Sequence, residues 1–214
     1  MEKIKAVFFD FDGVIVDSLS FWENLFNKVI KTYQLDATPL LKNDGINFTT
    51  HEAIEIMLQH QQRFTKHLYQ DIIHWTEKFY TDNFHDHIKL NEQAIDVLKT
   101  LKSNHIQIIL VSNSSRQQID YAFQEFNLSS YFDDTISADD VKKGKPNPEG
   151  YLKALEKTNR LKNEVIIIED STTGIQTAKN AGINCLIYKN ENYVNEKNYI
   201  DNLNDIYKLI EIKT

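Results

Sequence analysis

Asp10 and Asp12 stand two residues apart, directly after the apolar run Ala6-Val7-Phe8-Phe9. A strand of that composition is buried, and a carboxylate at its end is costly unless it is paired, hydrogen-bonded or bound to a metal. Gly13 suggests a tight turn just beyond the pair. Asp and Gly also favour ordinary turns, so these residues alone leave a plain turn open. Three more segments bear on the choice. Ser112-Asn113-Ser114-Ser115 follows the run Ile106 to Val111, and Glu169-Asp170-Ser171-Thr172-Thr173-Gly174 follows Val165 to Ile168. Lys145 lies in Lys142-Lys143-Gly144-Lys145-Pro146-Asn147-Pro148, just before a proline-stiffened helix start.

Singly, each segment has a structural reading. A serine cluster caps helices, Glu-Asp after a strand can do the same, and Lys-Pro is common in loops. Together they bring four carboxylates, a lysine and a hydroxyl to the carboxyl edge of one sheet, where ligands of open α/β folds bind. Crowded carboxylates call for a hard cation, and with water and phosphate oxygens they suit Mg²⁺. Such a centre, with an ammonium and backbone donors, is built to hold a phosphoryl group.

The elements that must position these residues are legible as well. Ala6 to Phe9, Ile106 to Val111, Val165 to Ile168 and Cys185 to Tyr188 are apolar throughout, as strands covered on both faces are. Helical stripes accompany them: Ala94, Val97, Leu98 and Leu101; Ile119, Ala122, Phe123 and Phe126; Tyr151, Leu152 and Leu155; Ile175 and Ala178. Strands alternating with helices predict an α/β fold with a doubly wound parallel sheet. From about Leu19 to His87 there is no strand pattern. Its stripes are helical: Trp22, Leu25, Phe26, Val29 and Tyr33, then Ile54, Met57 and Leu58, then Leu68, Ile72, Trp75 and Phe79. Pro39 and Asn43-Asp44-Gly45 break this block internally. The expected organisation is a core of residues 1–17 and 88–214 with an inserted α-helical cap, 18–87, starting close enough to the aspartates to act as a lid. Asn190 to Asn204 reads as an irregular excursion before a last helix near Asp205 to Ile212.

Composition narrows the partners. The 214-residue chain carries a formal net charge of −7, which disfavours nucleic acid and, more weakly, an anionic membrane surface. Its only arginines are Arg63, Arg116 and Arg160, so bidentate phosphate clamps have few candidates. Cys185 has no partner for an internal disulfide and lies in an apolar stretch, where an inert thiol is expected. With no signal-peptide core and no apolar run of membrane-spanning length, a cytoplasmic monomer is the expectation. His60, His67 and His74 recur at seven-residue spacing. On one continuous helix, neighbours would stand roughly 10 Å apart at ~1.5 Å rise per residue, too far to share an ion. A solvated helix face is the reading for them.

The motifs together resemble those of the haloacid dehalogenase superfamily, in the branch with a helical cap inserted after the first motif. The resemblance rests on Asp10-Phe11-Asp12-Gly13-Val14-Ile15-Val16-Asp17-Ser18, Ser112-Asn113, Lys145-Pro146-Asn147-Pro148 and Glu169-Asp170-Ser171-Thr172-Thr173-Gly174-Ile175, in that order. The chain is similar to β-phosphoglucomutase-like and phosphoglycolate-phosphatase-like members. The resemblance implies that Asp10 is the nucleophile and forms an aspartyl-phosphate. It implies that Asp12 protonates the leaving oxygen and later activates water. Mg²⁺ would be held by the Asp10 carboxylate, the Asp12 backbone carbonyl and Asp170, with Glu169 supporting them. Ser112 and the Asn113 backbone would bind phosphoryl oxygens, and Lys145 would balance their charge. Arg116, with Arg63, Lys66 and Lys78, is a cationic candidate for substrate discrimination.

Dehalogenase members keep the first aspartate and lack the second, so Asp12 points to phosphate chemistry. Sugar-phosphate mutases of this branch add an arginine after a cap glycine and a cap histidine. The matching positions here are Gly45-Ile46-Asn47-Phe48-Thr49-Thr50, with no arginine, and Trp22. A Mg²⁺-dependent phosphatase acting on a small sugar, polyol or hydroxy-acid phosphate is therefore the expectation. A mutase and a non-catalytic phosphate-binding module remain as alternatives. A receiver domain would need neither the second aspartate nor the helical insert.

Overall fold

A computed structural model of the chain describes residues 3–41 and 48–210. The expected strands are β1 (Ala6–Phe9), β4 (Gln107–Val111), β6 (Val165–Glu169) and β7 (Asn184–Tyr188). They form the middle of a six-stranded sheet completed by β5 (Asp134–Ile136) and β8 (Tyr199–Ile200). The order is β5-β4-β1-β6-β7-β8 and every pairing is parallel. The chain runs outward from β1 through β4 to β5, then returns to β6 on its other side. The order therefore reverses at β1, the strand that leads into Asp10.

Both faces of the sheet are covered. Val7 and Phe9 join one apolar cluster with residues of α5 (Ala94–Ser103) and α6 (Arg116–Phe126). Ala6 and Phe8 join another with Tyr151 and Ala154 of α7 (Glu149–Thr158) and Ala178 of α8 (Thr172–Ala181). Alternate residues of β1 thus feed opposite layers, which is why the strand reads as an unbroken apolar run.

The segment between β1 and α5 is helical as expected: α1 (Leu19–Tyr33), α2 (Thr38–Leu41), α3 (Thr50–His60) and α4 (Lys66–His87). It is flanked by a two-stranded antiparallel pair, β2 (Val16–Asp17) with β3 (Lys89–Leu90), which brings the entry and exit of the segment together. Phe26, Val29, Ile54, Met57, Leu58 and Ile72 form a cluster of their own. Phe21 and Leu25 of α1, and Tyr80 and Phe84 of α4, instead pack into the core under the sheet. The helical unit therefore has its own centre and a broad apolar attachment through α1 and α4.

Thr49 caps α3 through a reciprocal pair with Glu52. Pro39 sits inside the short α2, while Asn43-Asp44-Gly45 and the mutase-comparison residues Gly45 to Asn47 lie outside the described residues. His60 ends α3, whereas His67 and His74 belong to α4, so the seven-residue spacing spans two helices. His60 meets Asp36 at 3.2 Å and His67 meets Asp71 at 2.7 Å, both near the surface. The stretch read as irregular after Asn190 contains β8 and precedes the short helix α9 (Ile206–Leu209). No helix among the described residues is long and apolar enough to cross a membrane.

Candidate active site

Asp10 follows β1, and its backbone N–H donates to the Ile168 carbonyl at 3.0 Å, extending the sheet register by one residue. Glu169, the last residue of β6, is completely buried, and Asp170 follows it. The Lys145 ammonium lies between them. It donates to Asp10 Oδ1 at 2.6 Å and to Glu169 Oε1 at 2.5 Å. The Tyr151 hydroxyl donates to the same Glu169 oxygen at 2.7 Å. Two glycines make room. Gly13 adopts φ +84°, where a side chain would be strained, and a Cβ there would collide with the Asp170 carboxylate. A Cβ on Gly174 would collide with the Glu169 carboxylate.

The charges in this cluster are unbalanced. Burial, then the Glu169 carboxylate, push the Asp10 pKa well above the usual range, with Lys145 pulling the other way. Burial and Glu169 likewise raise Asp170 to about 7. Burial works against the charge on Lys145, but Asp10 and Glu169 outweigh it and move its pKa up. One oxygen from each of Asp10, Glu169 and Asp170 can be chosen so that all three lie within 4.8 Å of one another. Asp170 Oδ1 is buried and has no hydrogen-bond partner. Three carboxylates around one ammonium, with an orphaned buried oxygen, fit a hard divalent cation.

Asp12 faces elsewhere. Its Oδ1 accepts from Ser18 Oγ at 2.6 Å and from Trp22 Nε1 at 2.7 Å, and its Oδ2 accepts from Ser114 Oγ at 2.7 Å. Its side chain is not one of the three clustered carboxylates. The four residues after β4 divide their tasks. Ser112 Oγ accepts the Ser114 N–H at 2.9 Å, and Asn113 Oδ1 accepts the Lys145 N–H at 2.9 Å. Ser115 alone fulfils the capping reading, at the start of α6, while its hydroxyl donates to Glu77 of α4 at 2.7 Å.

Most of the expected residues converge, but Arg116 does not join them. Its guanidinium is engaged by Thr135 and Asp140 beside β5. That ion pair ties the start of α6 to the residues after β5. Two of the other cationic candidates are also committed, while Lys66 is exposed at the start of α4. Arg63 donates to the Tyr33 and Gln34 carbonyls at the end of α1, and Lys78 pairs with Asp82 at 2.8 Å. His85 pairs with Glu125 at 3.1 Å, joining α4 to α6. Burial pushes the Cys185 thiol up, in keeping with an inert side chain.

Sequence reasoning overlooked Tyr151 and Trp22 as site residues, having read both as packing. For Tyr151 the local signal was only a helical stripe. For Trp22 a signal existed: it lies one turn beyond Ser18, so on α1 the two side chains share a face directed at Asp12.

A parallel sheet with a carboxylate–lysine cluster at its reversal point defines an α/β core with a charged, buried site. The model of the haloacid dehalogenase-like hydrolases matches residues 7–188, and the chain belongs to that family. It is 28% identical over 181 residues to a phosphorylated carbohydrates phosphatase from Thermotoga maritima, covering 84% of this chain and 82% of that protein. It is 27% identical over 188 residues to validoxylamine A 7'-phosphate phosphatase from Streptomyces hygroscopicus, covering 85% and 84%. In fold it is similar to β-phosphoglucomutase from Clostridium difficile, with TM-score 0.79 and 23% identity over 97% of this chain and 96% of that one.

Proposed function

We propose that this phosphatase of the haloacid dehalogenase-like family hydrolyses a small phosphate monoester in two steps through an aspartyl-phosphate on Asp10. The observation that carries the reading is the Lys145 ammonium held between Asp10 Oδ1 and Glu169 Oε1 at 2.6 and 2.5 Å. It orients the Asp10 carboxylate and brings a fixed positive charge to the place where a phosphoryl group arrives. In the first step the other Asp10 oxygen attacks phosphorus, the bond to the ester oxygen breaks, and the Asp12 carboxyl gives that oxygen its proton. In the second, Asp12 takes a proton from water as the water oxygen attacks phosphorus, and the bond to Asp10 breaks to free phosphate.

The Asp12 hydrogen bonds suit a residue that alternates between acid and base. The Trp22 N–H on Oδ1 can only donate, whereas the Ser114 hydroxyl on Oδ2 can turn to accept. Oδ2 is therefore the oxygen that can carry the proton. Ser112 and the Asn113 backbone would bind phosphoryl oxygens. Asp10, Asp170 and the Asp12 backbone carbonyl, with Glu169 behind them, would hold Mg²⁺, which when bound offsets repulsion between the anionic nucleophile and the anionic substrate. Residues 1–17 and 88–214 then act as core and 18–87 as cap.

Mg²⁺-dependent phosphate release from a panel of small esters tests this reading, with Asp10→Asn expected to lower turnover by about 10³-fold or more. Release surviving Asp10→Ala would overturn the assignment of the nucleophile. A rate of interconversion of glucose 1- and 6-phosphates above their hydrolysis would replace the phosphatase with a mutase.

A further inference from the structure

An opening of about 320 Å³ separates the helical unit from the sheet edge and reaches Asp12. Its helical wall is formed by Leu19, Trp22, Glu23 and Phe26 of α1 and by Phe48 ahead of α3. Asn113 and Ser114 close the core side. Among the described lining residues the two ionisable groups are Asp12 and Glu23, both carboxylates, and none is lysine, arginine or histidine. Of the cationic candidates, Arg63, Lys78 and Arg116 are engaged elsewhere, and Lys66 does not line this opening.

A second opening, about 450 Å³, reaches Gly13 and Asp170 and is lined by Lys89 and Lys189. It does not touch Asp12, Asn113 or Ser114. The proton donor must lie against the ester oxygen as the bond breaks. The leaving group therefore belongs in the first opening, where Asp12 is exposed to it.

Resting on the phosphatase reading above, we infer that the substrate is a phosphomonoester with an uncharged leaving group that presents an apolar face, and that Glu23 disfavours esters carrying a second anionic group. Leu19, Trp22, Phe26 and Phe48 make most of the wall apolar, with Glu23 and Thr50 its polar groups on the helical side, which favours a leaving group with an apolar face. A carboxylate or second phosphate placed there would meet Glu23 with no opposing cation among the described lining residues. Glu23 is exposed, so its influence is partly screened and modest in size.

The test is kcat/KM in Mg²⁺ for benzyl phosphate, 2-hydroxyethyl phosphate and phosphoglycolate, the last two being near isosteres that differ in charge. Benzyl phosphate is expected to exceed phosphoglycolate by about tenfold or more. Glu23→Lys should raise phosphoglycolate relative to 2-hydroxyethyl phosphate by about fivefold, near the limit for an exposed ionic contact. Phe48→Ala should lower benzyl phosphate selectively. A wild-type preference for phosphoglycolate, or a ratio unmoved by Glu23→Lys, would overturn the inference. So would a preference for anionic esters that Lys89→Ala or Lys189→Ala removes, since that assigns the leaving group to the other opening. If no ester is hydrolysed, calorimetric binding of the same three esters to Asp10→Asn separates the claims. Binding in the expected order would uphold the cleft assignment while the phosphatase reading fails, and absence of binding would overturn both.

Discussion

The carboxylate cluster and the cleft above it are made of opposite materials. In the cluster, Asp10, Lys145, Glu169 and Tyr151 are buried, and the Lys145 ammonium, Asp10 Oδ1, Glu169 Oε1 and the Tyr151 hydroxyl are tied together at 2.5 to 2.7 Å. In the cleft, Leu19 and Glu23 are exposed and the wall is mostly apolar. The difference separates two jobs. Phosphoryl transfer needs charges fixed before the substrate arrives, because a dry, preorganised site does not have to reorganise during reaction. Choosing the leaving group needs only shape and a charge or two, so it can be left to a more loosely built surface.

This contrast can be broken most severely at Lys145. Lys145→Met leaves Asp10 and Glu169 facing each other without the ammonium, and removing one partner of a buried ion pair costs about 3–5 kcal/mol. The variant should melt well below the wild type in calorimetry and release no measurable phosphate. Stability close to wild type would mean that the cluster is not electrostatically strained.

The next effect is one of pH. Asp170, raised by burial and Glu169 to about 7, and Asp10, also raised, bind more protons when folded than when unfolded. Stability from these groups is therefore fully present below their unfolded values and is lost as pH rises through the folded ones. In EDTA the melting temperature should fall between about pH 4 and pH 7 on their account. Saturating Mg²⁺, which binds the ionised forms, should reduce the fall. An EDTA profile that rises across that window, unchanged by Mg²⁺, would remove the cluster from consideration as a metal centre.

Tyr151→Phe deletes one bond to the completely buried Glu169 and should cost about 1.5–3 kcal/mol, the range for hydrogen bonds to charged groups. Urea unfolding would read it directly. The smallest effect is expected where cluster and cleft meet. Trp22→Phe keeps the aromatic wall but removes the N–H on Asp12, one of three donors to a half-buried carboxyl, so its cost should lie below that at the fully buried Glu169. It should lower kcat for all esters alike. A loss confined to benzyl phosphate would assign Trp22 to the cleft alone.

The sequence by itself determined the central strands, the helical insert and the charged residues of the cluster, though not Tyr151. Those signals are local: an apolar run, a 3.6-residue stripe, or a motif whose members hold fixed places at strand ends. Strands β5 and β8 escaped because each is short and lies toward a sheet edge, where burial on both faces no longer writes an apolar run. Only the tertiary structure decided how the named groups are used. Arg116 and Ser115 are neighbours in sequence, yet one turns to Asp140 and the other to Glu77. Asp12 and Ser114, 102 residues apart, share a hydrogen bond, and Lys145 reaches Asp10 across 135. Such partnerships depend on where strands and helices cross, because the side chains are brought within reach only when the sheet is assembled.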